Sequence, residues 1–265
     1  MTLQVDAPTR FILAVSTART VPLAWDALTI SIDGRAVEPR ETDEDPRTRL
    51  QLFETGPGVL MIDYAAEVTG RAPAPEVSPL DSIVYLRPSR YVQSDTLTPF
   101  ARETFPGLTG PLHDGARLAR EVSAWVHDRL VYAPDSTSPT GGAVETLDSG
   151  RGVCRDFAHL TAALLRALDV PARLVSVYAP GLEPMDFHAV VEALVELDGR
   201  EQWVVVDSTR LAPRRGMVRM ATGRDATDTA FLTNTLSDIQ LLRLEVDATS
   251  NESFDDDPDE LVVLG

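Results

Sequence analysis

A lone cysteine, Cys154, stands in a chain of 265 residues that carries four histidines. One thiol cannot close an intramolecular disulfide, so its surroundings decide between packing and chemistry. It follows the turn-forming run Asp148-Ser-Gly-Arg-Gly-Val153 and precedes an apolar stripe of Phe157, Leu160, Leu164, Leu165 and Leu168. Asp169-Val-Pro171 stops that stripe. The spacing predicts a helix over 154–168 with the sulfur in its first turn. Unpaired N–H groups and the positive end of the helix dipole favour an anion there, and the thiolate is the nucleophilic form of cysteine.

Strand geometry supplies two partners. His188 opens the β-branched run His188-Ala-Val-Val-Glu-Ala-Leu-Val195, and Asp207 follows Trp203-Val-Val-Val206. Between them Asp198-Gly199 is a favoured two-residue hairpin turn. With Leu197 paired to Arg200, Asp207 comes opposite Val190, whose neighbour on the same face is His188, a diagonal pair about 7–8 Å apart. A three-residue loop would put His188 and Asp207 on opposite faces. A thiol at a helix start, an imidazole to take its proton and a carboxylate to fix the imidazole tautomer make an acyl-transfer nucleophile that attacks a carbonyl. The Cys154 backbone N–H is one natural oxyanion donor, and Tyr132, upstream, is the candidate for a second.

Other residues that could do chemistry read as structural. His159 lies five residues along the predicted helix, and at about 100° per residue it turns away from Cys154. His113 and His127 have no ligand spacing. Arg155 and Asp156 share the first turn, where the carboxylate favours the helix dipole and the guanidinium suits a loop or tail partner. Trp125 and Trp203 fall on apolar faces and are expected in the core.

The motifs around these residues resemble the bacterial transglutaminase-like superfamily: Gly152-Val-Cys-Arg-Asp-Phe-Ala-His-Leu160, Pro171-Ala-Arg173, Asp186-Phe-His-Ala189 and Asp207-Ser-Thr209, in that order and spacing. Arg87-Pro-Ser-Arg-Tyr91 with Ser94-Asp95, and Gly223-Arg-Asp-Ala-Thr-Asp228, resemble segments of a branch that carries an N-terminal β-domain. Asp225 and Asp228 also suit a loop-to-helix cap. The resemblance implies a papain-like triad of Cys154, His188 and Asp207 and no cofactor. It implies a peptidase or amidase acting on a peptide or protein. A transamidase, or an idle scaffold that only binds peptide or protein, shares the same fold. Val190 and Ser208 stand where many relatives have an aromatic residue and a proline.

These residues need elements to hold them. The expected fold class is α+β: a papain-like core in which the cysteine helix packs on an antiparallel sheet, beside an N-terminal β-sandwich-like domain. Leu28, Ile30 and Ile32 alternate with polar residues up to the turn pair Asp33-Gly34, and Arg49–Phe53 and Val59–Tyr64 continue the strand pattern. The proline-rich Ala72-Pro-Ala-Pro-Glu-Val-Ser-Pro79 reads as a linker. The expected units are a β-domain over 1–85, a catalytic domain over 86–245 and an acidic tail over 246–265. Leu118, Val122, Trp125, Val126 and Leu130 mark a further amphipathic helix over 116–130.

Composition sets the outer limits. Hydrophobic residues at 43% and charged residues at 25% suit a globular chain. A net charge of −17 repels phosphate backbones and anionic lipid, so nucleic acid and membrane are not expected partners. Asp255-Asp256-Asp257 before Pro258-Asp259-Glu260 reads as a solvated run. The start of the sequence lacks a basic region, and Phe11–Val15 is short for a signal or span. With a single thiol, a cytoplasmic location is expected.

Overall fold

Period-two alternation builds strands from the start of the chain. The computed structural model describes residues 1–44, 48–108, 113–136, 138 and 140–264. Seven strands come first: β1 (Thr2–Val5), β2 (Thr9–Leu13), β3 (Leu23–Ile32), β4 (Arg35–Ala36), β5 (Arg40–Glu44), β6 (Thr48–Thr55) and β7 (Gly58–Val68). Two more arrive late in the chain, β14 (Leu232–Thr235) and β15 (Ile239–Arg243). They form two sheets, ordered β15-β1-β7-β3-β4 and β14-β2-β6-β5. Leu3, Val5, Ile30, Leu60 and Ile62 of the first meet Phe11, Leu13 and Phe53 of the second in one core, which makes a β-sandwich. Phe11 lies directly opposite Phe53, with ring centroids 5.1 Å apart. Asp33 and Gly34 both take positive φ, 47° and 76°, the turn expected between β3 and β4.

The second half assembles around one helix. Six α-helices occur among the described residues: α1 (Asp81–Val84), α2 (Ser94–Thr104), α3 (Gly115–Arg129), α4 (Ala143–Ser149), α5 (Cys154–Ala167) and α6 (Ala226–Thr229). Four strands make an antiparallel sheet in the order β12-β11-β10-β13: β10 (Ala172–Tyr178), β11 (His188–Leu197), β12 (Arg200–Val206) and β13 (Val218–Gly223). A parallel pair, β8 (Val131–Tyr132) and β9 (Arg151–Gly152), flanks the start of α5. Val191, Ala193 and Val195 of β11 pack with α5 and α3, while Val190 and Leu194 point to the other side. Every residue of α5 from Asp156 to Ala167 is buried. The sequence pattern announces only the leucine stripe; Ala158, Ala162, Ala163 and Ala167 let neighbours close over the remaining faces.

The strands β14 and β15 fall inside the stretch 86–245 that the sequence assigns to the catalytic unit, yet they pair with β2 and β1. The chain leaves the β12-β11-β10-β13 sheet and returns to complete both layers of the sandwich. Met220 of β13 also reaches into the sandwich core.

The acidic run is mostly exposed, as its charge suggests, yet it is anchored to the fold. Arg214, 5% exposed, draws it in: Nε bonds the Asp256 carboxylate at 3.1 Å, and Nη1 and Nη2 bond the carbonyls of Glu260 and Asp257 at 3.0 and 2.6 Å. Beyond it, the Val205 N–H donates to the Val262 carbonyl at 2.7 Å, so the tail covers the free edge of β12. Val262 and Leu264 sit on one side of the sheet, and Leu261 and Val263 pack toward α5. Replacing Arg214 with Ala strands these carbonyls and Asp256. It should cost about 2–4 kcal/mol in urea denaturation and expose 254–264 to limited proteolysis.

Candidate active site

A close approach of backbone to side chain sets the start of α5. The Val153 N–H, ahead of the first turn, donates to Asp156 Oδ2 at 3.0 Å, satisfying one of the unpaired donors of a helix start. Gly152 makes room for this: a Cβ there would stand 2.5 Å from the Asp156 Cβ. Arg155 bonds Asp156 Oδ1 at 3.2 Å and the Ser138 carbonyl at 2.7 Å. These contacts leave Cys154 as the first residue of α5, half-buried, with its Sγ 3.9 Å from the Phe187 carbonyl.

The expected hairpin forms in the expected register. Leu197 pairs with Arg200 and Val191 with Val206, across Asp198 and Gly199 at φ 53° and 76°. His188 Nε2 and Asp207 Oδ2 stand 2.8 Å apart, and both residues are buried. Asp207 Oδ1 accepts from the Thr209 N–H at 2.9 Å and its hydroxyl at 2.7 Å. Thr209 thereby holds the carboxylate with its other oxygen turned to the imidazole. Behind it Ser208 bonds the Thr161 hydroxyl of α5 at 2.7 Å. Its carbonyl lies 3.1 Å from His127 Nδ1.

Electrostatics follow from burial and pairing. Burial alone would pull the His188 imidazole down, but the charge and hydrogen bond of Asp207, with a hydrogen bond and charge from Cys154, raise it to about 10. Burial would raise Asp207, and His188 and Thr209 more than offset it, so the carboxyl is held below its usual range. His188 Nδ1 is buried and makes no hydrogen bond of ordinary geometry among the described residues. The influence of Cys154 on the imidazole marks the thiol as a near neighbour of the ring.

Tyr132 lies at the same place. Burial and the charge of Cys154 push its phenol up to about 12, opposed by the Cys154 backbone N–H that its oxygen meets. The hydroxyl keeps its proton at neutral pH. Tyr132 is 38% exposed and rests on Phe157 of α5, with centroids 6.0 Å apart. The structure thus brings Cys154, His188, Asp207 and Tyr132 together.

The remaining candidates serve elsewhere. His159 is buried, stacks on Tyr91 at 5.1 Å and accepts the Ala226 N–H at 3.2 Å; burial lowers it to about 3. His113 Nε2 lies 3.1 Å from the Leu168 carbonyl at the end of α5. Asp225 caps α6 through the Thr227 N–H at 2.8 Å and ties it to Tyr91 N–H at 3.0 Å. Asp228 binds Arg224 Nε at 2.8 Å, against a glycine, Gly223, whose Cβ would collide with it. Trp203 is buried with Tyr85 and Leu194, as expected of a core residue, and Trp125 packs against the separate core around α5. In the sequence Ser208 and Thr209 stand out only as motif residues and His127 only as a histidine without ligand spacing; their roles around Asp207 are not foreseen, because hydroxyl and carbonyl contacts leave no periodic trace. No group of three or more His, Cys, Asp or Glu side chains stands at metal-holding distance among the described residues. No described helix is long and apolar enough to cross a membrane.

Comparison with known proteins supports the fold. Residues 102–208 match the family model of the transglutaminase-like superfamily, a stretch that holds Cys154, His188 and Asp207. A crystal structure of a candidate cysteine protease from Cytophaga hutchinsonii is 30% identical, with a TM-score of 0.76, and the match covers 95% of this chain and 91% of that one. The sandwich is therefore part of the shared architecture. An uncharacterized protein of Mycobacterium leprae is 33% identical over 130 residues, 45% of this chain and 44% of its own length. One from Mycobacterium bovis is 31% identical over 123 residues, 42% of this chain and 39% of its own. The match thus spans less than half the length of these curated relatives. In fold, in the order of its motifs and in the match along nearly its whole length, this chain belongs to the transglutaminase-like superfamily.

Proposed function

We propose that the chain is a thiol acyl-transfer hydrolase that cleaves a peptide or amide bond, with Cys154 as nucleophile, His188 as general base and acid, and Asp207 orienting the imidazole. One observation carries the reading: His188 Nε2 is taken by Asp207 at 2.8 Å, which leaves Nδ1 for the sulfur at the start of α5. The likeness to a candidate cysteine protease supports a peptide or protein substrate. A single reduced thiol fits a cytoplasmic setting.

The chemistry then runs in balanced steps. The Cys154 proton passes to His188 Nδ1, and the sulfur adds to the substrate carbonyl. The resulting oxyanion is met by the Cys154 N–H and the Tyr132 hydroxyl. His188 returns its proton to the leaving amine, which departs and leaves a thioester on Cys154. Water, deprotonated by His188, adds to that thioester and releases the acid and the thiol.

Alkylation of Cys154 by iodoacetamide, followed by intact mass, tests the pair without a known substrate. The rate should change little between about pH 5.5 and 8, and His188→Ala should lose at least about tenfold at the acid end. Two proteins that both titrate like free cysteine near about pH 8.5 would sink the enzyme reading.

A second outcome concerns stability. His188 is raised from 6.5 to about 10, so its stabilising contribution is fully present below about pH 6.5 and is lost as pH climbs through about 10. The urea midpoint of the native chain should therefore fall across that window more steeply than that of His188→Gln. Equal slopes would mean that the imidazole is not held charged.

A further inference from the structure

On the sheet face turned away from α5, Arg173 of β10 lies directly opposite Glu192 of β11. Its Nε and Nη2 bond Glu192 Oε2 at 2.8 and 2.7 Å. Arg219 of β13 bonds the same carboxylate through Nη1 at 3.0 Å and Nη2 at 2.5 Å, and Nη1 also reaches the Thr222 hydroxyl at 2.8 Å. Arg173, Glu192 and Arg219 are 1%, 0% and 7% exposed. Two guanidinium charges thus share one carboxylate at nearly full burial; Arg173 also lies 3.8 Å over the Trp203 ring, so the charge least offset is that of Arg219.

The geometry leaves a place for an anion. Arg173 Nη1 and Arg219 Nε have no hydrogen bond among the described residues, and neither is among the sealed polar atoms. Both arginines line a cavity of about 300 Å³ under the proline-rich segment that joins the two halves of the chain. Ala74, Pro75, Val77 and Leu264 give it apolar walls. A second hollow of about 460 Å³, reaching Pro79 and Leu194, adjoins it at Val77 and Ser78. Glu76 and Asp81 also border the cavity. Asp81 Oδ2 is engaged by the Ser78 N–H at 2.9 Å.

We infer that this cavity binds a small monocarboxylate with an apolar body, its carboxylate on Arg173 and Arg219 and its body against the proline roof. A planar guanidinium fork matches a carboxylate, and apolar walls with a few convergent polar groups are the usual make-up of a small-molecule site. The acids Glu76 and Asp81 select against a doubly charged anion. The site is distinct from the thiol cleft: Glu192 lies four residues along β11 from His188, about 13 Å at about 3.3 Å per residue.

Calorimetric titration of the whole chain with benzoate, butyrate, inorganic phosphate and benzamide tests it. Benzoate or butyrate should bind saturably with a Kd of about 1 mM or tighter, about −4 kcal/mol, and raise the melting temperature; phosphate and the neutral benzamide should not. Arg219→Met should weaken binding at least tenfold. That variant leaves a one-to-one Arg173–Glu192 pair, so its urea midpoint and its rate of Cys154 alkylation should stay near those of the native chain. Ala74→Phe, at an exposed roof position, fills the cavity without touching the charges and should abolish binding as well. Absence of carboxylate binding, equal binding of benzamide, tighter binding of phosphate, or full affinity in either variant that folds would overturn the inference.

Discussion

The two-residue turn at Asp198-Gly199 is the constraint on which the arrangement at the cleft depends. Its left-handed backbone, φ 53° and 76°, matches the twist of β11 and β12 and locks Leu197 to Arg200. Because side chains alternate with period two, a slip of one residue would send Asp207 to the far face and leave His188 buried without its carboxylate. Glu192 meets Arg173 through the neighbouring β10–β11 register, so β11 carries both the imidazole and the carboxylate of the arginine network. Packing of β11 against α5 then fixes the distance from that pair to the thiol.

The sandwich is wired into this core and does not hang from it. The Tyr178 hydroxyl of β10 donates to the Val15 carbonyl at 2.8 Å, and the Thr222 N–H of β13 donates to the Thr48 hydroxyl at 3.1 Å. A ladder of rings runs from Tyr64 of β7 through Tyr178 and Phe187 to Phe231, with centroids 6.4, 5.8 and 4.7 Å apart. Phe187 precedes His188 and offers its carbonyl to the Cys154 sulfur. Aromatic contacts of this kind carry area and geometry together. They tie the entry of β11 to the sandwich.

What could be read from sequence was local. The helix over 154–168 and the hairpin across 198–199 announce themselves through period and turn chemistry, and the cleft residues follow from them with no long-range information. The return of β14 and β15 was invisible because their partners, β2 and β1, lie at the other end of the chain and short strands carry no address. The acidic run is solvated as its charges suggest, but the docking of Leu261-Val-Val-Leu264 after it is not legible, because the partner Val205 is distant in sequence. Gly152 reads as a turn residue, and only the structure reveals that Asp156 needs the space. Arg173 enters the sequence reading only through the Pro171-Ala-Arg173 motif, and nothing local marks Arg219 as its partner around Glu192.

Cys154 is the only thiol in the sequence, half-open to its surroundings. Oxidation to a sulfenic acid would find no second cysteine in this chain to close a disulfide upon. Recovery must then draw on a thiol from outside, through a mixed disulfide that is exchanged away. This sequence offers no second thiol to buffer it against peroxide, so the reducing power of its surroundings becomes part of what keeps the Cys154 thiol intact.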